Sequence, residues 1–159
     1  MAAQLPINKE HGLLAPGIHD ADIEMVETCY GSFQGSDRRC KLFETLKRFI
    51  GDVQCAIPGA VVYIDGSFVM ACVDKPSDVD IVLVLPPSYD LEADVTPAEY
   101  NLISAKSAKR TYRFDVRSAL SGSEAETQWL EYFQQTNPKW DHELSRQLPR
   151  KKGIVRLVS

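Results

Sequence analysis

The chain has 159 residues, 44% hydrophobic and 25% charged, with a formal net charge of −4. That length lies within the roughly 100–200 residues of one compact domain, and such a domain buries enough surface to stand without disulfides or structural metal. The composition excludes a disordered or fibrous chain, and the net negative charge argues against a general nucleic-acid coat protein.

No apolar run reaches the roughly 20 residues a membrane span needs. The start, MAAQLPINKEHG, lacks the basic and apolar regions of a secretory signal, so no membrane association and a cytoplasmic location are expected. Cys29, Cys40, Cys55 and Cys72 form no C-x-x-C pair and have no nearby His at zinc spacing. They are expected to be reduced thiols.

In chain order, residues 1–20 carry Pro6, Gly12, Pro16 and Gly17 and read as an irregular lead-in. A short helix is expected from Asp20 to about Tyr30, with Asp20 as cap and Ile23 and Val26 at helical spacing. A stronger helix starts at Ser36, with Leu42, Phe43, Leu46, Phe49 and Ile50 on one stripe and Gly51 as its stop. Ala60 to Ile64 is a β-branched run ending near Gly66, hence a strand. Asp78 to Leu85 is the clearest strand, and its unbroken apolar run from Ile81 predicts cover on both faces.

Thr96 to Lys109 reads as one helix, with Thr96 as cap and Pro97 in its first turn. Thr111 to Val116 reads as a further strand. Ser123 to Gln135 is helical, with Ser123 and Glu126 as a capping box. Ile154 to Val158 reads as a closing strand. The expected architecture is one α/β domain over residues 1–159, a mixed sheet of four to five strands packed with helices.

Chemistry concentrates in two stretches. Asp78 and Asp80 open a buried strand, and strand alternation turns both to one face. Two acids there repel unless something cationic neutralises them. Hard oxygen ligands at this spacing suit a pair of Mg2+ or Mn2+ ions. Gly66 and Ser67 follow the preceding strand. There a glycine permits a tight turn and close approach of a ligand, and a hydroxyl adds a donor to phosphate.

Hydrophobic-Gly66-Ser67, ten intervening residues, then Asp78-x-Asp80 opening an apolar strand resembles the signature of the polymerase-beta-like nucleotidyltransferase superfamily. The match extends over residues 60–117, and the sequence character beyond is similar to small bacterial stand-alone members of unassigned substrate. The resemblance implies the minimal nucleotidyltransferase fold. It also implies a third carboxylate on a later strand, and Asp115 stands where that is expected. Asp78 and Asp80 would then hold both metal ions, Asp115 would complete the metal that activates the attacking hydroxyl, and Gly66 and Ser67 would bind the β- and γ-phosphates. The implied reaction transfers an NMP from an NTP such as ATP to an acceptor hydroxyl on a protein, a tRNA or a small molecule, releasing pyrophosphate.

The sequence departs from the family pattern in places. Asp65 precedes Gly66 where a neutral residue is usual, and an acid there repels phosphates unless it faces away. No Arg-rich helix stands between Ser67 and Asp78. No all-helical substrate domain follows the sheet, so a second subunit, as in a homodimer, or a partner protein is expected to complete the cleft.

Basic residues fall in two groups, Lys106 to Arg117 and Arg146 to Arg156, which suit either a solvated face or a phosphate-rich substrate. Lys106 and Lys109 are read as solvated or as reaching a triphosphate, and Lys151 and Lys152 as an ordinary turn or as closing over phosphates. Trp129, Tyr132 and Phe133 are expected in the core. The rival to an enzyme is a non-catalytic binding module of the same fold, an antitoxin-like partner of a toxin–antitoxin pair or a regulator. The joint presence of Gly66, Ser67, Asp78, Asp80 and Asp115 favours catalysis.

Overall fold

A computed structural model describes residues 4–158. The strands are β1 (Gly17–Ala21), β2 (Val61–Asp65), β3 (Asp80–Leu85), β4 (Asp115–Leu120) and β5 (Gly153–Leu157), in the spatial order β1-β5-β2-β3-β4. The sheet is mixed: β1 runs parallel to β5 and β3 parallel to β4, while β2 is antiparallel to β5 and to β3. The helices are α1 (Ile23–Tyr30), α2 (Arg38–Ala56), α3 (Pro97–Ile103), α4 (Ala105–Tyr112), α5 (Glu124–Phe133) and α6 (Lys139–Glu143), with a 3-10 turn at Gly66–Val69. This is the expected α/β class. None of these helices is long and apolar enough to cross a membrane.

Alternation along the strands divides the sheet into two unequal faces. Ile64, Ile81, Leu83 and Val116 belong to the large core under α1 and α2, with Phe43, Leu46 and Phe49. Tyr63, Val82, Val84 and Ile154 point the other way, onto Leu130 and Phe133 of α5. Ile81 to Leu85 are all buried, as the continuous apolar run requires. Asp65, Asp80 and Asp115, the end residues of β2, β3 and β4, continue the α5 face and gather at one edge of that smaller layer.

Several boundaries differ from the sequence reading, each for a local reason. The lead-in is partly ordered: residues 17–21 form edge strand β1, held by parallel pairing with β5, a long-range contact that local composition does not signal. Asp22, not Asp20, caps α1, accepting from the amide of Met25 at 2.8 Å. Asp20 lies in β1 and holds Arg156 of β5 at 2.6 Å.

Helix α2 runs through Gly51 to Ala56 because Val53 still has core to bury. The helix expected over 96–109 is two, divided at Ser104, which ends α3 and caps α4. Residues 111–116 are not one strand. Thr111 and Tyr112 finish α4, Arg113 turns left-handed at φ 65°, and β4 begins only at Asp115. Thr96 and Ser123 cap as expected, although Glu126 reaches the amide of Gly122 instead of closing back on Ser123. All four cysteines are free thiols.

Candidate active site at the acidic end of the sheet

The register builds the site. Asp65 of β2 pairs with Asp80 of β3, and Asp80 with Asp115 of β4. Residues paired across adjacent strands share a face, about 4.8 Å apart, so three carboxyl groups stand in a row on the α5 face. Phe114 and Val116, one residue to either side of Asp115, are fully buried in the opposite core. Asp78 precedes β3 in an irregular segment and not in the strand as expected, yet it lines the same cleft of about 510 Å³ as Asp80, Asp115, Gly66, Ser67 and Lys152.

Gly66 has φ 77°, and a side chain there would overlap the carboxylate of Asp80. The chain needs glycine twice over, for its left-handed turn and for the closeness of β3's first residue. Ser67 follows, largely buried in the 3-10 turn. The loop beyond is fastened from beneath by Arg39, whose guanidinium donates to the carbonyls of Phe68 at 2.6 Å, Met70 at 2.8 Å and Val73 at 2.7 Å. Arg39 is the signal that sequence reasoning missed. A basic residue on an amphipathic helix reads as exposed, but this one is 1% exposed.

The electrostatics reflect crowding of acids away from water. The Asp80 carboxyl is pushed up to about 7, first by burial and then by Asp78 and Asp115, with Lys152 pulling the other way. Asp65 stands on the α5 side of the sheet beside Asp80, beneath the cleft and not in its lining. It is fully buried, neither carboxyl oxygen has a hydrogen-bond partner, and burial holds it far towards its neutral acid form against the pull of Lys152.

Lys152 is no mobile arm. It is 3% exposed, its ammonium donates to the carbonyl of Phe133 at 2.9 Å at the C-terminal end of α5, and burial lowers its pKa while Asp65 and Asp80 raise it. A helix C-terminus is a favourable place for a cation. Lys151 is exposed.

The outer acids carry surface cations. Lys109 holds Asp78 at 2.9 Å and Arg117 holds Asp115 at 3.3 Å. Lys109 thus neutralises an acid here, while Lys106 is exposed. The second basic group is dispersed: Arg150 pairs with Asp141 and Arg156 with Asp20. Arg113 sits in the C-terminal cap of α4.

Among the described residues, no three acidic, His or Cys side chains are already gathered tightly enough to hold a metal ion. The donor chemistry nevertheless fits a divalent cation. Asp78, Asp80 and Asp115 line one cleft with hard oxygen donors, and the crowding of Asp78 and Asp115 around the buried Asp80 carboxyl is relieved by added positive charge.

The second side of the cleft comes from the chain's own residues 132–140, including Tyr132, Thr136, Asn137 and Trp140. Of the aromatic trio expected in the core, Phe133 is buried, Trp129 is partly buried and Tyr132 is 59% exposed into solvent.

Comparison with curated proteins and with solved structures returned no match. Residues 5–158 match a family described as "Family of unknown function (DUF6932)", and the chain belongs to that family.

Proposed function

We propose that this protein is a metal-dependent nucleotidyltransferase that moves a nucleoside monophosphate from an NTP to an acceptor hydroxyl. The observation carrying this reading is the register pairing of Asp80 with Asp115 beside a glycine that admits no side chain. That combination gathers oxygen ligands at one end of a rigid sheet and leaves backbone open for a phosphate to approach.

In the reaction, the acceptor oxygen forms a bond to the α-phosphorus in line with the departing oxygen, and pyrophosphate leaves. Asp115 would help orient the proton of the attacking hydroxyl. Ser67 and the backbone at Gly66 hold the β- and γ-phosphates. Lys152 and Arg117 offset the charge of the acids around the triphosphate. Two Mg2+ or Mn2+ ions held by Asp78, Asp80 and Asp115 would supply charge neutralisation on the attacking and departing oxygens. The acceptor class is a protein, a tRNA or a small molecule.

The test is incubation of the protein with each NTP labelled at the α-phosphate, Mg2+ and cell extract. Label should pass to protein, RNA or a small molecule in the wild type and not in Asp80→Asn. Label that follows the γ-phosphate would overturn the reaction. NTP binding without transfer under any acceptor mixture would leave the fold as a non-catalytic binding module.

A further inference from the structure

The cleft is zoned by charge. Its sheet side carries the acids, Lys152 and Arg117, whereas the facing segment 132–140 contributes an exposed aromatic ring and neutral polar groups around the single cation Lys139. That segment is fixed and not a loose loop. The amide of Thr136 donates to Arg150 O at 2.9 Å, and that of Lys152 donates to Gln134 O at 2.9 Å. The wall is therefore carried on the same ribbon that delivers Lys152 to the acids.

Three aromatic residues, Tyr132, Phe133 and Trp140, line this wall, and they are not equivalent: Phe133 is buried. Trp140 has the Lys139 ammonium 4.9 Å from its ring centre and packs against the small core of Leu13 and Leu148. Tyr132 is different. Phe133 and Trp129 stand nearly perpendicular to it, at 84° and 87° with centroids 5.0 and 6.1 Å away. They hold the ring upright while 59% of the residue stays exposed. Beside it, Thr136 is 4% exposed and its hydroxyl has no hydrogen-bond partner. The side-chain oxygen of Asn137, a residue of the cleft lining, accepts from the amide of Lys139 at 3.0 Å, which leaves its amide nitrogen as the side chain's donor.

We propose that this wall is the nucleoside subsite, with the base of the NTP stacked on Tyr132 and the sugar lying towards Thr136 and Asn137. The proposal rests on the nucleotidyltransferase reading and adds to it which end of the substrate each side of the cleft takes. A polyanion belongs with the cations and the acid-bound metals. A flat, uncharged heterocycle belongs on a ring held open to solvent. Base stacking of this kind tolerates all bases, so little preference among NTPs is expected from Tyr132 itself.

The experiment compares two probes, an NTP and inorganic triphosphate, each titrated with Mg2+ into wild type, Tyr132→Ala and Tyr132→Phe, with single-stranded RNA as a third titrant. Tyr132→Ala should weaken NTP binding roughly 5- to 100-fold and leave inorganic triphosphate unchanged, while Tyr132→Phe should bind both as wild type does. Equal NTP affinity in Tyr132→Ala and wild type would overturn the subsite. A loss confined to RNA would overturn it too, assigning the wall to the acceptor. Failure of both NTP and inorganic triphosphate to bind wild-type protein would sink the nucleotidyltransferase reading itself, an outcome distinct from loss of the base contribution alone.

Discussion

Asp80 and Asp115 are register partners on β3 and β4, so two carboxylates stand one strand spacing apart on the same face, with Asp65 in line on the other side of Asp80. Such a row costs stability when ionised and unneutralised. The Asp80 carboxyl is raised to about 7 from an ordinary 3.8, with burial as the leading cause. Between those values the folded protein keeps a proton that the unfolded chain releases. Stability is therefore fullest below about pH 4 and is lost as pH rises through about 7, by an amount on the order of a few kcal/mol. In metal-free protein, thermal melts from pH 4 to pH 8 should show this decline, smaller in Asp80→Asn. Equal slopes in the two proteins would show that Asp80 is not the titrating group. At pH 8, Asp80→Asn should be as stable as wild type or more so, yet transfer no label.

Saturating Mg2+ with an NTP should oppose that decline, because a ligand bound only by the folded state stabilises it by mass action. At 100 times its Kd, the rise in melting temperature should be about 5–10 °C. Asp80→Asn and Asp115→Asn should each abolish most of it. A wild-type melting point unmoved by millimolar amounts of all four NTPs with Mg2+ would count against a competent site.

Gly66→Ala tests whether the turn and the acid row form one device. Its new methyl would strike the Asp80 carboxylate, and φ 77° is unfavourable for any L side chain. The expected cost is about 1–3 kcal/mol of stability, together with loss of the Mg2+–NTP melting shift. Gly59→Ala is the control: its φ is 88° but the nearest atom to the new methyl is 3.6 Å away. It should show backbone strain with an intact melting shift. Loss of the shift in both would point to general destabilisation.

Arg39 gives the sharpest stability prediction. Its guanidinium is buried among backbone carbonyls of Tyr30, Phe68, Met70 and Val73, and burial lowers its pKa. Arg39→Met would leave these carbonyls without their donor, at an expected cost of about 3–5 kcal/mol. The shift should appear in the urea midpoint. Arg38→Met, whose guanidinium binds only the carbonyls of Pro76 and Ser77 near the surface, should cost about 1 kcal/mol or less. Similar midpoints for the two variants would mean that Arg39 does not fasten the loop after Gly66.

The sequence by itself determined what local order can encode. Continuous apolar residues from Ile81 to Leu85 specify a strand covered on both faces, and Thr96 and Ser123 specify helix starts. Gly66 and Asp80 were legible together because they lie close in the chain, Gly66 opening the turn after β2 and Asp80 opening β3.

Tertiary structure decided everything that depended on register or on a distant neighbour. Whether Asp65 stood buried beside Asp80 depended on the pairing of β2 with β3. Whether Lys152 was an arm or a buried counter-charge depended on β5 lying between β1 and β2 and on the end of α5 above it. Residues 17–21 became a strand only because β5 offered an edge 136 residues away, as the pairing of Gly17 with Gly153 records. Arg39 became a fastener only because a separate loop presented its carbonyls. Hydrophobic periodicity reports which way a side chain points relative to its own element. It carries no information about which charges and carbonyls other elements bring to meet it.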